Sequence, residues 1–262
     1  MLERIQVLGP GTILPLPGYG CSGYVLFAGA KREPILVDCG SGTLDRLAAA
    51  AIPVEAVRLV LLTHFHPDHV ADLAPFLLSR WLRNLGQSHE LTVVGPVGLR
   101  KYLDWLTVMA HPWIDDYRIE VVELGGELSS FRYEEGVGKV EILDVQARPT
   151  IHTESSICYR ITDETGRALF YSGDTDYDET LEGIMKGAAL ALVECSMPED
   201  RKLQGHLTPR LAARLAARAA VQELLLTHFY EEVLAVDILA EARAEFSGKI
   251  NLARELATYY LR

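Results

Sequence analysis

The densest group of reactive side chains in this 262-residue sequence is Thr63-His64-Phe65-His66-Pro67-Asp68-His69. His64 and His66 are two apart just after a predicted strand, so an extended backbone projects both imidazoles to one side, where they can share a metal ion. Pro67 suits the first turn of a helix and places Asp68 and His69 at its N-terminus, facing a second position nearby. A helix cap with incidental histidines is the alternative, but with eight His the chance of this pattern is on the order of one in a few thousand.

Four residues do not complete two metal sites, so the rest of the chain must supply ligands. We predict His228 as a ligand because Leu225-Leu226-Thr227-His228-Phe229 repeats Leu61-Leu62-Thr63-His64-Phe65 at the end of an apolar strand. Asp174 follows a strand and a glycine that permits close approach, and its two carboxylate oxygens can bridge two cations. The alternative for Asp174 is the N-cap of a helix predicted at 178–186.

Among the remaining histidines, His152 is the natural candidate for a third neutral ligand at the first metal. On its own it also fits a hydrogen-bonded core or turn histidine. His89 and His111 lie beside Ser88 and Pro112 in polar surroundings. We predict that these two face solvent.

The elements that position these residues alternate between apolar runs and helical patterns, which indicates α/β architecture. We predict strands at 2–8, 23–29, 34–38, 58–63, 90–94, 117–123, 139–147, 155–162, 167–171, 189–194 and 221–227. We predict helices at 43–51, 67–84, from Pro96 onward, and at 178–186, 208–219 and 231–246. The C-terminal segment is of uncertain type. No linker or low-complexity tract divides the chain, so we expect one domain over 1–262.

Two sequence echoes indicate an internal duplication. Besides the repeated Thr-His segment, Ile35-Leu36-Val37-Asp38-Cys39-Gly40 resembles Ala168-Leu169-Phe170-Tyr171-Ser172-Gly173-Asp174. Two such halves predict a pseudo-twofold αββα sandwich, with two mixed β-sheets face to face and helices outside. Under this duplication His228 occupies the position equivalent to His64 and points into the same cleft.

In order and spacing, these motifs resemble the metal-binding motifs of the metallo-β-lactamase superfamily, and the resemblance spans nearly the whole chain. In that family such residues bind two metals between two β-sheets. This resemblance implies that the first metal is bound by His64, His66 and His152. It implies that the second metal is bound by Asp68, His69 and His228. The resemblance also implies that Asp174 bridges the two metals.

The branch that the chain most resembles is that of the ribonuclease Z-like phosphodiesterases. Cys158-Tyr159-Arg160-Ile161 resembles that branch's Gly-Tyr-Arg-Ile stretch, and Gly205-His206-Leu207-Thr208 resembles its Gly-His-Ser-Thr motif. His206 also precedes the last ligand by 22 residues, as the motif's histidine does. Just before the helix start at Thr208-Pro209, His206 is predicted to act as a general acid or as a donor to a phosphoryl oxygen. The alternative is a helix-capping histidine.

Two departures from ribonuclease Z argue against processing of transfer RNA. The branch's long exosite insertion is missing, because only 12 residues separate Ile161 from Asp174. The N-terminal loop reads Leu14-Pro15-Leu16-Pro17-Gly18-Tyr19-Gly20, without the Lys and Arg of the ribonuclease Z motif. With 25 Lys and Arg against 36 acidic residues, the net charge of −11 also opposes a polyanion. We therefore expect a small or short phosphodiester substrate and no long nucleic acid.

The predicted function is that of a binuclear metal-dependent hydrolase in which a metal-bridging hydroxide, oriented by Asp68, is the nucleophile. Zn²⁺ fits the imidazole and carboxylate set, with Mn²⁺ or Fe²⁺ as alternatives. Hydrolysis of a lactone, carboxyl ester or thioester at the same metals is the alternative activity, and transfer-RNA 3′ processing is less favoured. A lactam substrate, a non-catalytic metal-binding scaffold and a flavodiiron-type redox role fit the residues less well.

The composition fits an unexported protein. No basic segment followed by an apolar stretch opens the chain, and no segment approaches 18 uninterrupted apolar residues. Cys21, Cys39, Cys158 and Cys195 are scattered, so we expect buried free thiols in the reducing cytoplasm and no membrane association. A homodimer is expected from the family resemblance alone.

Overall fold

The computed structural model describes residues 1–29, 33–83, 90–110, 119–135 and 141–262. The strands are β1 (Leu2–Gly9), β2 (Gly23–Ala28), β3 (Glu33–Cys39), β4 (Leu59–Leu61), β5 (Leu91–Pro96), β6 (Ile119–Leu124), β7 (Ser129–Glu135), β8 (Glu141–Pro149), β9 (Ile157–Asp163), β10 (Ala168–Tyr171), β11 (Leu190–Glu194), β12 (Glu223–Thr227), β13 (Lys249–Leu252) and β14 (Thr258–Tyr260). The α-helices are α1 (Thr43–Ala49), α2 (Pro67–Val70), α3 (Leu73–Arg83), α4 (Leu99–Ala110), α5 (Leu181–Met185), α6 (Pro209–Arg218), α7 (Glu231–Leu234) and α8 (Ile238–Arg243).

The strands form two seven-stranded mixed sheets. The first sheet has the order β14-β1-β2-β3-β4-β5-β6, and the second has the order β13-β12-β11-β10-β9-β8-β7. One apolar core fills the space between the sheets and continues beneath α5, α6 and α8 on the outer face of the second. A second core lies between the first sheet and α1, α3 and α4. The predicted αββα sandwich of two mixed sheets is confirmed.

The two sheets share one pattern of strand pairing. From β14 to β3 and from β7 to β10 the neighbours are antiparallel, and from β3 to β6 and from β10 to β13 they are parallel. This symmetry supports the predicted duplication and makes β10 the counterpart of β3. The predicted equivalence of His64 and His228 is wrong, however. His64 follows β4, the second strand of its parallel run, whereas His228 follows β12, the third of its own.

The helix predicted at 67–84 is two helices, because the backbone turns at Asp72. The Asp72 amide donates to the Cys39 carbonyl at 3.0 Å, and its carboxylate accepts from the Leu44 amide at 2.9 Å. Pro75 has no amide hydrogen and fits the first turn of the new helix α3. The predicted helix at 231–246 is also divided, since the Asp237 carboxylate caps α8 by accepting from the Ala240 amide at 3.0 Å.

Other predicted boundaries differ for local reasons. Pro96 ends β5 instead of opening a helix, and α4 begins at Leu99. There Glu123 accepts from the Gly98 amide, just before the helix, and from the Arg100 amide in its first turn. The strand β7 was not predicted, although Phe131 and Tyr133 alternate there with charged residues. The uncertain C-terminal segment contains β13 and β14, and β14 returns to pair with β1. The predicted starts of the strands at 117 and 139 lie outside the described residues.

The connection between β9 and β10 is a tight turn closed by the Gly166 amide, which donates to the Asp163 carbonyl at 2.9 Å. The 12 residues between Ile161 and Asp174 thus comprise the end of β9, this turn, β10 and Ser172-Gly173. All four cysteines are free thiols, and Cys21 differs from the expected burial because it is partly exposed. Among the described residues, no helix combines the length and the apolar composition that crossing a bilayer requires.

Candidate metal centre

Six of the seven predicted metal ligands lie just past the carboxyl ends of parallel-run strands from both sheets. The segment after β4 carries His64 and His66 and enters α2, which begins at Pro67 as predicted. Asp174 follows β10 and His228 follows β12. His152 lies in the loop between β8 and β9. Because the two sheets face each other, these strand ends converge on one cleft.

The first group of donors surrounds His66. Its Nδ1 lies 3.1 Å from His64 Nε2 and 3.0 Å from His152 Nε2. Asp174 Oδ2 lies 3.7 Å from His64 Nε2 and 3.6 Å from His152 Nε2. Three imidazole nitrogens and one carboxylate oxygen thus point at one small volume, which is the arrangement that a divalent cation needs.

The second group consists of Asp68, His69 and His228, with the other oxygen of Asp174. Asp174 Oδ1 lies 3.4 Å from His69 Nε2 and 3.4 Å from His228 Nε2. Asp68 Oδ2 lies 3.5 Å from His228 Nε2 and 3.9 Å from His69 Nε2. Asp174 therefore presents one oxygen to each group.

Several donor atoms in the second group are buried without a hydrogen-bond partner among the described residues. They are His69 Nε2, His228 Nε2 and Asp174 Oδ1. An unpartnered buried polar atom is costly, so three of them directed at one small volume fit a bound cation. The nitrogen and oxygen donors, with no thiolate in either group, suit a divalent metal such as Zn²⁺.

The second ring nitrogen of four of these histidines is held by the surrounding protein. His64 Nδ1 lies 3.1 Å from Thr63 Oγ1. His69 Nδ1 lies 2.7 Å from Asp38 Oδ2, and His152 Nδ1 lies 3.0 Å from the Gly205 carbonyl oxygen. His228 Nδ1 lies 2.9 Å from Ser196 Oγ. Donation by Nδ1 leaves the Nε2 lone pair facing the cleft, which is the tautomer that binds a metal.

Asp38 is a buried positioning residue that sequence reasoning did not identify. One carboxylate oxygen accepts from the Thr63 amide at 2.8 Å, and the other accepts from the Tyr171 hydroxyl at 2.7 Å as well as from His69. Asp38 adopts a left-handed backbone conformation with φ of 54°, which is uncommon for residues other than glycine, although Asn, Asp and His adopt it more often than the rest. Asp38 lies in the sequence similarity between residues 35–40 and 168–174, but that similarity alone gives no indication of its contact with His69.

Glu194 is the corresponding positioning residue near His206 and was also missed. It is fully buried, and its carboxylate lies 3.1 Å from His206 Nδ1. It also accepts from the amides of Thr175 at 2.8 Å and Leu207 at 3.1 Å, and from the Ser196 hydroxyl. The sequence signal was an acidic residue ending the otherwise apolar strand β11.

His206 lies beside the second donor group. Its ring is parallel to that of His228 within 14°, with 5.7 Å between centroids, and a ring nitrogen lies within 4.8 Å of donors on Asp174 and His228. Burial disfavours the imidazolium, but the charge and hydrogen bond of Glu194 outweigh burial and raise the pKa of His206 to about 9. The protonated ring is thus available as an acid.

The helix-cap alternatives for two site residues are wrong. The N-cap of α6 is Thr208, whose side chain accepts from the Leu211 amide at 3.3 Å, so His206 does not cap this helix. The N-cap of α5 is Thr180, six residues after Asp174. The histidines His89 and His111, predicted to face solvent, lie outside the described residues.

The buried charges of the cleft determine one another's protonation. Burial lowers the pKa of His64 well below its ordinary value, which keeps the ring neutral. Burial also opposes ionisation of Asp174, but His228 and His69 outweigh it and hold the pKa of Asp174 well below its usual range. For His69, burial is outweighed by Asp174 and Asp38, which raise its pKa well above the ordinary value. In the absence of a cation, the His69 ring is therefore cationic, and binding of a metal through Nε2 requires loss of the Nε2 proton.

Tyr230, which sequence reasoning also missed, borders the same cleft. Its ring contacts His206 edge-on at 6.0 Å and His228 edge-on at 5.9 Å between centroids. Burial raises the pKa of the Tyr230 hydroxyl to about 12, so the phenol stays neutral. Its position two residues after His228 was the available signal.

Comparisons with known proteins agree with this geometry. The family model described as beta-lactamase superfamily domain matches residues 33–229. The probable metallo-hydrolase YhfI of Bacillus subtilis is 28% identical over 96% of this chain and 97% of its own length. A ribonuclease Z of Mycobacterium bovis (strain BCG / Pasteur 1173P2) is 29% identical over 98% of this chain and 97% of its own. The crystal structure of B. subtilis YhfI, a metallo-beta-lactamase fold protein, matches with a TM-score of 0.83 at 24% identity, covering 99% of this chain and 100% of that one.

Proposed function

Because the chain belongs to the beta-lactamase superfamily and is a metallo-hydrolase of that fold, we propose that it is a binuclear phosphodiesterase acting on a small or short substrate. The observation that carries this proposal is the orientation of Asp174. Its Oδ2 faces His64 and His152, and its Oδ1 faces His69 and His228. A carboxylate shared in this way fits two adjacent cations.

The residues fall into two ligand sets that share Asp174. The first set is proposed to be His64, His66 and His152, and the second to be Asp68, His69 and His228. When bound, two Zn²⁺ ions would supply the Lewis-acid chemistry that activates water and offsets charge on the attacked centre. Mn²⁺ and Fe²⁺ are the alternatives for this donor set.

Asp68 and His206 are the proposed catalytic residues. The Asp68 carboxylate lies in the second group, and its pKa is lowered because the nearby His228 ring, 3.5 Å away, and the His69 charge outweigh burial. It stays ionised and can orient a water molecule by accepting its proton. His206, protonated through its contact with Glu194, can donate a proton to the leaving oxygen or a hydrogen bond to a phosphoryl oxygen.

The ribonuclease Z relative favours phosphorus over carbon as the attacked centre. Two features favour a short substrate over transfer RNA. The β9–β10 connection is a tight turn without an insertion, and the loop at 14–20 has no Lys or Arg to hold a phosphate backbone. We expect little cleavage of precursor transfer RNA at physiological salt, and a specific 3′ cut would contradict this expectation.

A panel of substrates tests the proposed chemistry. Zinc-loaded protein should cleave bis(4-nitrophenyl) phosphate faster than 4-nitrophenyl phosphate, and chelation of the metals should abolish both activities. Turnover of a lactone or thioester without diesterase activity would favour the alternative hydrolase. No cleavage of any substrate by protein of verified metal content would favour a non-catalytic scaffold.

The remaining proposals concern the chain as a whole. We propose that residues 1–262 form one hydrolase domain, since β14 near the C-terminus pairs with β1 and one core joins the two sheets. The homodimer stays a prediction, and sedimentation at the mass of a single chain would contradict it. Location in the cytoplasm also stays a prediction.

A further inference from the structure

The loop between β1 and β2 encloses a half-open cavity of about 630 Å³. The loop side of this cavity includes four apolar side chains, Ile13, Pro15, Leu16 and Pro17, beside Thr12, Tyr19, Gly20 and Cys21. The turn is closed by the Tyr19 amide, which donates to the Leu16 carbonyl at 3.0 Å. Ile13 lines the cavity and is 48% exposed, so apolar surface of this loop is accessible. A cavity of this size accommodates a group as large as an aromatic ring or a nucleoside.

Both ends of this loop adjoin the candidate metal centre. At its start, the Pro10 carbonyl accepts from the Phe229 amide at 2.9 Å, one residue after His228. At its end, Cys21 lines the cavity and packs against Gly40. Gly40 also lies so close to the Asp68 backbone that an added Cβ would overlap the Asp68 carbonyl. The loop that lines the cavity is therefore tied at both ends to the segments that carry the second donor group.

The charges around the cavity do not favour an anion. Arg46 lines the cavity, but its guanidinium is paired with the Glu255 carboxylate at 2.9 Å. Glu255 also accepts from the Gly20 amide at 3.0 Å, which ties the loop to the C-terminal segment. Asp45 lines the cavity and adds an exposed carboxylate. With one cation and two carboxylates, the local charge is negative and repels a further phosphate.

We propose that this cavity binds an uncharged organic group attached to the phosphoryl centre and disfavours substrates that carry a second phosphate there. The inference deepens the proposed phosphodiesterase function and rests on it. The substrate would be a phosphodiester of an apolar or aromatic alcohol. The alcohol group that enters the cavity would carry no charge of its own. Apolar contact with the wall that includes Leu16 supplies the preference.

Binding of product-like phosphates tests the apolar contact without relying on turnover. With zinc-loaded protein, calorimetry should show that phenyl phosphate binds about tenfold more tightly than methyl phosphate. Leu16→Trp, which fills the cavity, should bring this ratio close to one. Ala48→Trp is the matched control, because exposed Ala48 lines a separate cavity on α1 together with Ile52 and Val54. The control should keep the wild-type ratio. An unchanged ratio in Leu16→Trp, or no preference in the wild type, would overturn the proposal.

A second comparison tests the charge. Wild-type protein should bind 1,4-phenylene bisphosphate more weakly than phenyl phosphate. Asp45→Lys should reduce the ratio of the two dissociation constants by roughly fivefold. Tighter binding of the bisphosphate by the wild type would overturn the proposal. These binding ratios are distinct from the diesterase assay. If the predicted binding ratios are observed but no diester is cleaved, only the proposed phosphodiesterase function is contradicted. If diesters are cleaved but the binding ratios are not observed, only the proposed role of the cavity is contradicted.

Discussion

His69 Nδ1 and Asp38 Oδ2 lie 2.7 Å apart, and both side chains are completely buried. Asp38 belongs to β3 and His69 to α2, so this contact fixes a donor of the metal centre to the central strand of the first sheet. Asp38 also accepts from Tyr171 of the second sheet at 2.7 Å. One carboxylate thus aligns the two sheets and the imidazole between them.

Removing the charge of Asp38 should weaken metal binding. Asp38→Asn keeps the shape of the side chain but loses the negative charge facing His69 Nδ1, so zinc affinity should fall by roughly 10–100-fold. Competition with a chromophoric chelator measures this change. Asp163→Asn is the matched control, because Asp163 is a buried carboxylate that accepts from the amides of Leu2, Thr165 and Arg167 away from the cleft. The control should lower the melting temperature and keep the zinc affinity, whereas equal affinities in all three proteins would contradict the role of Asp38.

Zinc affinity should also depend on pH in a defined direction. Without a cation, Asp174 and Asp38 outweigh burial and raise the pKa of His69 well above its ordinary value. Metal binding must therefore displace the proton on His69 Nε2. Below that pKa, the zinc affinity should fall by about tenfold for each unit by which the pH is lowered, for each displaced proton. Chelator competition between about pH 6 and pH 8 measures the slope. A pH-independent affinity would show that no proton is displaced.

Replacing Glu194 should move the alkaline limb of the activity profile. The acid form of His206 is required, and Glu194 outweighs burial to raise the pKa of His206 to about 9. On this limb, activity is present below the pKa of His206 and is lost as pH rises through it. Bound cations lower the pKa in the wild type and in Glu194→Gln alike, but the limb of the variant should lie at lower pH. Profiles of kcat for a diester with a poor leaving group provide the comparison, and coincident alkaline limbs would contradict the assignment.

His206→Ala should separate catalysis from metal binding. If His206 donates a proton or a hydrogen bond without binding metal, kcat should fall by roughly 10²–10⁴ for a poor leaving group and by less for a good one. Metal content and melting temperature should stay close to the wild type. Loss of metal equal to that of Asp174→Ala would make His206 a ligand. Full turnover of every substrate would remove it from the reaction.

The sequence predicted the donor residues better than the residues that hold them. His64, His66 and Asp68 lie in one short segment, where spacing and the proline of α2 define their directions. Asp38 and Glu194 are single carboxylates at strand ends, and their contacts to His69 and His206 depend on tertiary packing. Spacing along the chain contains no information on these long-range pairs.

The fold shows the same division between local and tertiary information. Buried strands such as β2 and β12 are predictable because their apolar runs are continuous. The division of the helix at 67–84 was not predictable from periodicity, because it depends on contacts of Asp72 with Cys39 and Leu44. The edge strand β7 alternates aromatic and charged residues, a period of two that sequence analysis can detect.

Anomalous diffraction from zinc-loaded crystals, recorded at the zinc absorption edge, tests most directly the claim that Asp174 bridges two metals. We expect two peaks per chain, one beside the first donor group (His64, His66, His152) and one beside the second (Asp68, His69, His228), with an Asp174 oxygen next to each. Asp174→Ala should lose occupancy at both positions. A single peak, or two peaks that persist at full occupancy in Asp174→Ala, would contradict the proposed binuclear centre.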